Sequence, residues 1–430
     1  MKFIGISFLL IVLPLTLLAQ DEEKKFGVKF SGFIKNDMFF DSRQTVTARD
    51  GHFLLWPAAE KLDPDGNDIN DKSAFNMLAI QTRLRAKITG PDVLGAKTSG
   101  MVEGAFFAMS NATINSFRLR HAFVKLNWTN TELLFGQTWH PMFITGCFPG
   151  TVSFNTGVPF QPFSRNPQIR LTQSAGDLKV ILAVQSQLDF ASRGPAGTST
   201  TYLRNSATPD MHAQIHYGTK NTDSGFELLT GAGVGYKSIV PQIETGEIID
   251  NGVVIRPSYQ TDETVKGLSA MGFLKVKIPA LTFKVEGAYG ENACDYLSLG
   301  GFAVKEVVDQ DKGLLSYTPI TVTSFWTDIH SNGKKFQVGV FAGYSQNNGA
   351  KDQILSLDDP YGAVYGLGTN LEYVYRISPR VIYNVEKVRF GLEFEHTAAA
   401  YASEYDAKYK PTESNEVANN RLLFSVFYFF

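Results

Sequence analysis

The chain closes on Arg421-Leu-Leu-Phe-Ser-Val-Phe-Tyr-Phe-Phe430. With a period of two, Leu422, Phe424, Val426, Tyr428 and Phe430 share one face of a strand, and Arg421 and Ser425 fall on the other. An aromatic strand with polar groups only on its second face suits a wall between lipid and water. The outer apolar band and interface girdle of a membrane β-barrel are built from such residues. The stretch therefore predicts a barrel-closing strand; the alternative is a buried C-terminal strand of a soluble sandwich.

The same alternation recurs upstream. Val28, Phe30, Gly32, Ile34, Met38 and Phe40 oppose Lys29, Ser31, Lys35, Asp37 and Asp41. Leu78, Ile80, Leu84, Ala86 and Ile88 oppose Gln81, Arg83, Arg85 and Lys87. Phe336, Val338 and Val340 oppose Gln337 and Gly339, and Phe390, Leu392 and Phe394 oppose Arg389, Glu393 and Glu395. Charges at every second position of an apolar strand fit a water-filled lumen, not a soluble core. Mean hydropathy of −0.09 conceals this, because the two faces average out. The expected fold is all-β: a transmembrane antiparallel β-barrel of about 16 strands.

Met1–Gln20 has the features of an export signal: Lys2, an apolar run from Phe3 to Leu18 broken by Ser7 and Thr16, and small Ala19. An uncleaved anchor is the alternative. Residues 21–430 then form one barrel domain. Short turns are expected at Asp177, Asn221–Gly225, Asn332-Gly333 and Pro379. Outer loops are expected at Gln44–Ser73, Ser192–Pro209, Val240–Glu263, Asn292–Thr318, Asn347–Tyr361 and Tyr401–Asn419. A net charge of −2 offers nothing to a nucleic acid.

His140–Arg165 breaks the alternation. It holds His140, Phe143, Phe148, Phe154, Phe160 and Phe163, with Pro at 141, 149, 159 and 162. A loop this long needs a functional reason. It either folds inward to constrict the channel or packs outside at a subunit interface; the inward fold is the expectation. Around it, from Phe75 to Ala175, nine basic residues (Arg83, Arg85, Lys87, Lys97, Arg118, Arg120, Lys125, Arg165 and Arg170) face three acidic ones (Asp92, Glu103 and Glu132). Forked, permanently charged guanidinium groups suit carboxylate or phosphate, and such rings select anions in pores; the alternative is a set of arginines paired with acidic groups on inward loops or simply solvated. Arg83, Arg85, Lys87, Arg118, Arg120, Arg165 and Arg170 are the candidate pore-lining set, although the lumenal face around Arg118 and Arg120 stays ambiguous.

Other signals are weaker. Asp63, Asp65 and Asn67 have the oxygen chemistry of a calcium loop, but the glycine and the closing glutamate of an EF-hand are missing; the alternative is a solvated turn. Cys147 and Cys294 are read as separate thiols rather than a disulfide. No Cys/His spacing suggests a metal, and no cofactor is expected. His140 and Ser153 are the one suggestive pair for a hydrolase, without a nucleophile-elbow setting, so no enzyme is expected.

Several segments resemble the DcaP-like trimeric porins of Gram-negative bacteria: Phe30-Ser-Gly-Phe-Ile-Lys-Asn-Asp37, Phe117-Arg-Leu-Arg-His-Ala-Phe-Val-Lys-Leu126, Phe135-Gly-Gln-Thr-Trp139 and Asn166-Pro-Gln-Ile-Arg170. The match covers residues 28–190. The resemblance implies a homotrimer in outer-membrane lipid that passes small, often anionic solutes such as carboxylates. Some members carry an N-terminal helical extension, whereas only Asp21–Lys25 precedes the first strand here. A non-conducting structural or adhesin-type barrel is the alternative function.

Overall fold

The computed structural model describes residues 26–107, 111–250 and 253–430. The export segment Met1–Gln20 lies outside them. Among the described residues sixteen antiparallel strands form a closed wall. They are β1 (Gly27–Asp41), β2 (Ala74–Leu78 continued by Arg83–Thr89), β3 (Lys97–Ala105), β4 (Arg118–Asn127), β5 (Thr131–Trp139), β6 (Arg165–Ala175), β7 (Leu178–Gln185) and β8 (Asp210–Asn221). Then follow β9 (Phe226–Ile239), β10 (Val265–Lys277), β11 (Leu281–Glu291), β12 (Leu314–Ser331), β13 (Phe336–Ala350), β14 (Leu371–Val385), β15 (Val388–Tyr405) and β16 (Pro411–Phe429). No helix among the described residues is long and apolar enough to cross a membrane, which says nothing against strands.

The closing strand behaves as its sequence predicts. β16 pairs with β1, from Phe33 opposite Phe429 to Asp41 opposite Arg421. Leu422, Phe424, Tyr428 and Phe430 are exposed on the outer face, while Arg421, Leu423 and Ser425 are buried inside. The lumenal side of the seam is polar: Arg421 grips Asp41 with two bonds of 2.7 and 2.8 Å, and Ser425 donates to Asp37. Phe424→Arg puts a cation on the lipid face and is expected to lower stability in a bilayer by about 2–4 kcal/mol. Urea titration of folding into lipid vesicles checks this value.

Four loop and turn expectations change. Pro379 is not a turn; it sits within β14 opposite Val340, where the ladder to β15 skips Ser378 and Pro379, so its missing N–H costs no bond. The turn comes at Glu386, whose φ is 52°. Tyr401–Asn419 is mostly strand, because β15 and β16 run on to Tyr405 and start at Pro411. Ile80 does not share an outer face with Leu84: the interruption between the two segments of β2 shifts the phase, leaving Ile80 buried inside and Leu84 outside.

Gln44–Ser73 and Asn292–Thr318 are the other two corrections, because neither is wholly an outer loop. Phe53-Leu-Leu-Trp-Pro57 is buried throughout, and so is the short turn Ala293–Tyr296. Both descend into the barrel. There, Phe53, Leu55, Trp56, Tyr296 and Leu299 join residues of the 140–164 loop and inward residues of β10, β12, β13 and β14 in one hydrophobic core. Five consecutive apolar residues match a segment with protein on both sides.

Candidate functional site

Residues 140–164 fold inward between β5 and β6 and cross the lumen. The crossing is fastened to the far wall by backbone groups meeting buried polar side chains. Glu393 on β15 accepts from the N–H of Val152 and of Ser153, the latter at 3.1 Å, and from Ser153 Oγ at 3.3 Å. Arg376 on β14 donates to Val158 O at 2.9 Å and to Leu54 O and Leu55 O at 3.0 Å, so one guanidinium ties both inward segments. Lys35 Nζ donates to Val152 O at 2.9 Å. Glycine gives close approach where the loop needs it: a Cβ at Gly157, with φ of 85°, would lie 2.7 Å from Pro149.

Of the predicted loop residues, His140, Phe143, Phe154, Phe160 and Phe163 are buried, and Phe148 is exposed toward the lumen. Phe143 stacks on Trp139 with centroids 3.9 Å apart. Ser153 bonds Glu393, whereas His140 accepts from Met142 N–H; the suggestive hydrolase pair has separate partners. Cys147 and Cys294 are both free and buried. Burial pushes the Cys147 thiol, in the loop, up to about 12. At pH 7–8 it is therefore a thiol, and the thiolate is the nucleophile. Maleimide is expected to label neither cysteine in the folded barrel and both after denaturation, read by mass spectrometry.

Facing the loop is the cationic wall. Arg83 and Arg85 on β2 and Arg120 on β4 all converge on Glu103 of β3, at 3.4, 2.5 and 2.8 Å. Arg118 and Arg165 share Asp189; the Arg165 contact is 2.6 Å. Arg170 instead donates to Trp139 O at 2.6 Å and to Gln168, beyond the cluster. Lys87 is exposed farther along β2. The structure thus brings Arg83, Arg85, Arg118, Arg120 and Arg165 together and leaves Arg170 and Lys87 apart. The register shifts between Glu103 and Gly104, where His121 opposes Glu103 and Leu119 opposes Gly104. Arg120 is the extra residue of this bulge, so Arg120 and His121 are both buried inside, which is why alternation could not orient the strand.

A cavity of about 470 Å³ lies between this wall and the loop. Arg83, Arg85, Arg120 and Arg389 line it together with Trp139, Phe143, Phe148 and Phe163, and among the described residues no carboxylate does. Residues 141–164 carry no Asp, Glu, Lys or Arg. Glu103 is buried beneath the arginines. A second cavity of about 590 Å³, on the flank of the loop near Arg170, mixes Lys125, Lys179 and Lys220 with Glu132, Asp177 and Glu227. The positive bias is therefore local to the first. Arg389 escaped notice as a pore residue, although it stood on the charged face of an alternating strand.

Asp63 spends its oxygens on its own turn, accepting from the N–H of Asp65 and of Asn67 at 2.9 Å. That is an Asx-type turn exposed to solvent.

Solved structures share this architecture. The outer membrane channel DcaP of Acinetobacter baumannii superposes with a TM-score of 0.66 at 17% identity, covering 96% of this chain and 100% of that one. The fold is a porin fold. The anion-selective porin from Comamonas acidovorans gives 0.55 at 9% identity, covering 94% of this chain and all of that one. OmpT, an outer-membrane protein of Vibrio cholerae, gives 0.52 at 12% identity over 96% of this chain and 100% of its own. No family model and no curated protein matches the chain.

Proposed function

We propose that this chain is a DcaP-like porin of the bacterial outer membrane. It passes small hydrophilic solutes down their gradients and prefers anions. The observation that carries the reading is the 470 Å³ cavity whose lining, among the described residues, has four arginines and no carboxylate. An anion there meets fixed guanidinium donors in a narrow, partly desolvated passage, where unlike charges attract more strongly than in bulk water. Trp139, Phe143 and Phe148 add to the lining an uncharged surface along which an organic solute can slide. The chain acts as a homotrimer, in keeping with its resemblance to trimeric porins and with a structural neighbour described in trimer form.

Liposome swelling tests the charge preference with solutes of one size. Glucuronate is expected to enter faster than glucose, and glucose faster than glucosamine. The reverse order would overturn it. A second reading, a barrel without conductance, draws on the apolar core that three inward segments build inside the lumen. Equal exclusion of all three sugars would favour it.

A further inference from the structure

His140, Asp210 and His212 meet where the constriction loop leaves the wall, and the channel reading uses none of them. Asp210 and His212 are two residues apart on β8 and so share its lumenal face. His140 opens the loop. All three are buried, His140 completely. His140 Nε2 lies 3.5 Å from Asp210 Oδ2, and His212 Nε2 lies 3.0 Å from Asp210 Oδ1. The two imidazole rings are 4.7 Å apart, and the ligand atoms of the three residues all lie within 4.8 Å of one another.

Contacts to Asp210 account for only part of this arrangement. His140 Nε2 is wholly buried and its nearest partner is Asp210 Oδ2 at 3.5 Å, the limit of a hydrogen bond, while the buried Gln185 Oε1 has no partner among the described residues. A buried polar atom without a partner costs about 1–3 kcal/mol. A divalent ion with ligands at about 2.0–2.1 Å in a tetrahedron holds them about 3.3–3.4 Å apart. The observed 3.0 and 3.5 Å, to the two oxygens of Asp210, are near that edge, and ligand atoms all within 4.8 Å of one another close onto an ion with small side-chain shifts. Two imidazoles and a carboxylate are a donor set of the zinc type. The Gln185 amide reaches Asp210 Oδ2 at 2.7 Å and His212 Nε2 at 3.3 Å; turned about its last bond, it presents Oε1 as a fourth donor. The position of the His212 ring is built into the wall, because a Cβ at residue 235 would come within 2.5 Å of it and Gly235 has none.

We propose that His140, Asp210 and His212 bind a divalent transition-metal ion that staples the start of the constriction loop to β8. Met142 N–H donates to His140 Nδ1 at 3.2 Å, which leaves the ring proton of the metal-free form on Nε2. Loading moves that proton to Nδ1 and gives up this one bond. In His212 the ion takes the place of the 3.0 Å contact between Nε2 and Asp210 Oδ1, and the ring proton moves to Nδ1.

The site is closed in the folded barrel, so the test supplies the ion during folding. Untagged full-length protein is refolded in detergent with zinc chloride and dialysed against zinc-free buffer, and zinc is measured by atomic emission. One zinc per chain is expected in the wild type and none in His212→Gln or His140→Asn, each shown to be folded by heat-modifiable gel migration. No retained zinc in the wild type, or equal retention in the two variants, overturns the site. Should both variants misfold, the cobalt(II) form of the wild type decides. An intense tetrahedral visible band supports the site, and the weak spectrum of the hydrated ion overturns it.

Discussion

Arg83→Ala combined with Arg85→Ala is expected to reduce the anion preference of the channel by roughly tenfold in permeability ratio. A unit charge about 6 Å from a passing ion contributes about 0.7 kcal/mol at the dielectric of water. Two such charges give about 1.4 kcal/mol, which is a factor of about ten. The wall amplifies the loss. Both arginines lie against Glu103, and with them gone its carboxylate keeps Arg120 as its near partner and begins to repel anions. Arg83→Lys with Arg85→Lys keeps the charge and is expected to retain most of the preference. Reversal potentials in a salt gradient read both variants, and an unchanged potential in the alanine pair would remove the proposed role of this wall.

The second large effect is expected from Glu393→Ala. This carboxylate accepts two backbone N–H groups and a hydroxyl from residues 152 and 153. A hydrogen bond contributes about 0.5–1.5 kcal/mol net, and a buried N–H left without its acceptor costs about 1–3 kcal/mol. Part of that gain is offset by the cost of burying the acid, so the latch is expected to lose about 2–3 kcal/mol. The loop then opens transiently while the wall stays intact. Single-channel traces should show a severalfold larger, flickering conductance, and thermolysin should cut within residues 150–157. Wild-type traces from the variant would mean that Arg376, Lys35 and the packing of Phe154, Phe160 and Phe163 hold the loop without Glu393.

Much of this architecture was legible because a membrane wall writes itself at period two. Phe424 and Tyr428 outside, and Arg421 and Ser425 inside, follow from spacing alone. The constriction loop was legible for the opposite reason: four prolines and five phenylalanines interrupt that period. The first inward segment was hidden by its neighbours, since the polar turn at Asp63–Asp71 made the whole connection read as outer loop, although Phe53–Trp56 is apolar at every position. Tyr401–Asn419 misled because strands that continue past the membrane meet water on both faces and lose the apolar signal. Arg120 needed the bulge to be placed. Asp210 and His140 are seventy positions apart, and only the loop's return to β8 brings them together.

The central claim is that this barrel conducts and prefers anions. It is tested most directly by single-channel conductance and reversal potential of the purified protein in a planar bilayer under a potassium chloride gradient. The account predicts insertion in steps of three and a reversal potential displaced toward that of chloride. Absence of conductance, or a potential displaced toward that of potassium, would contradict it.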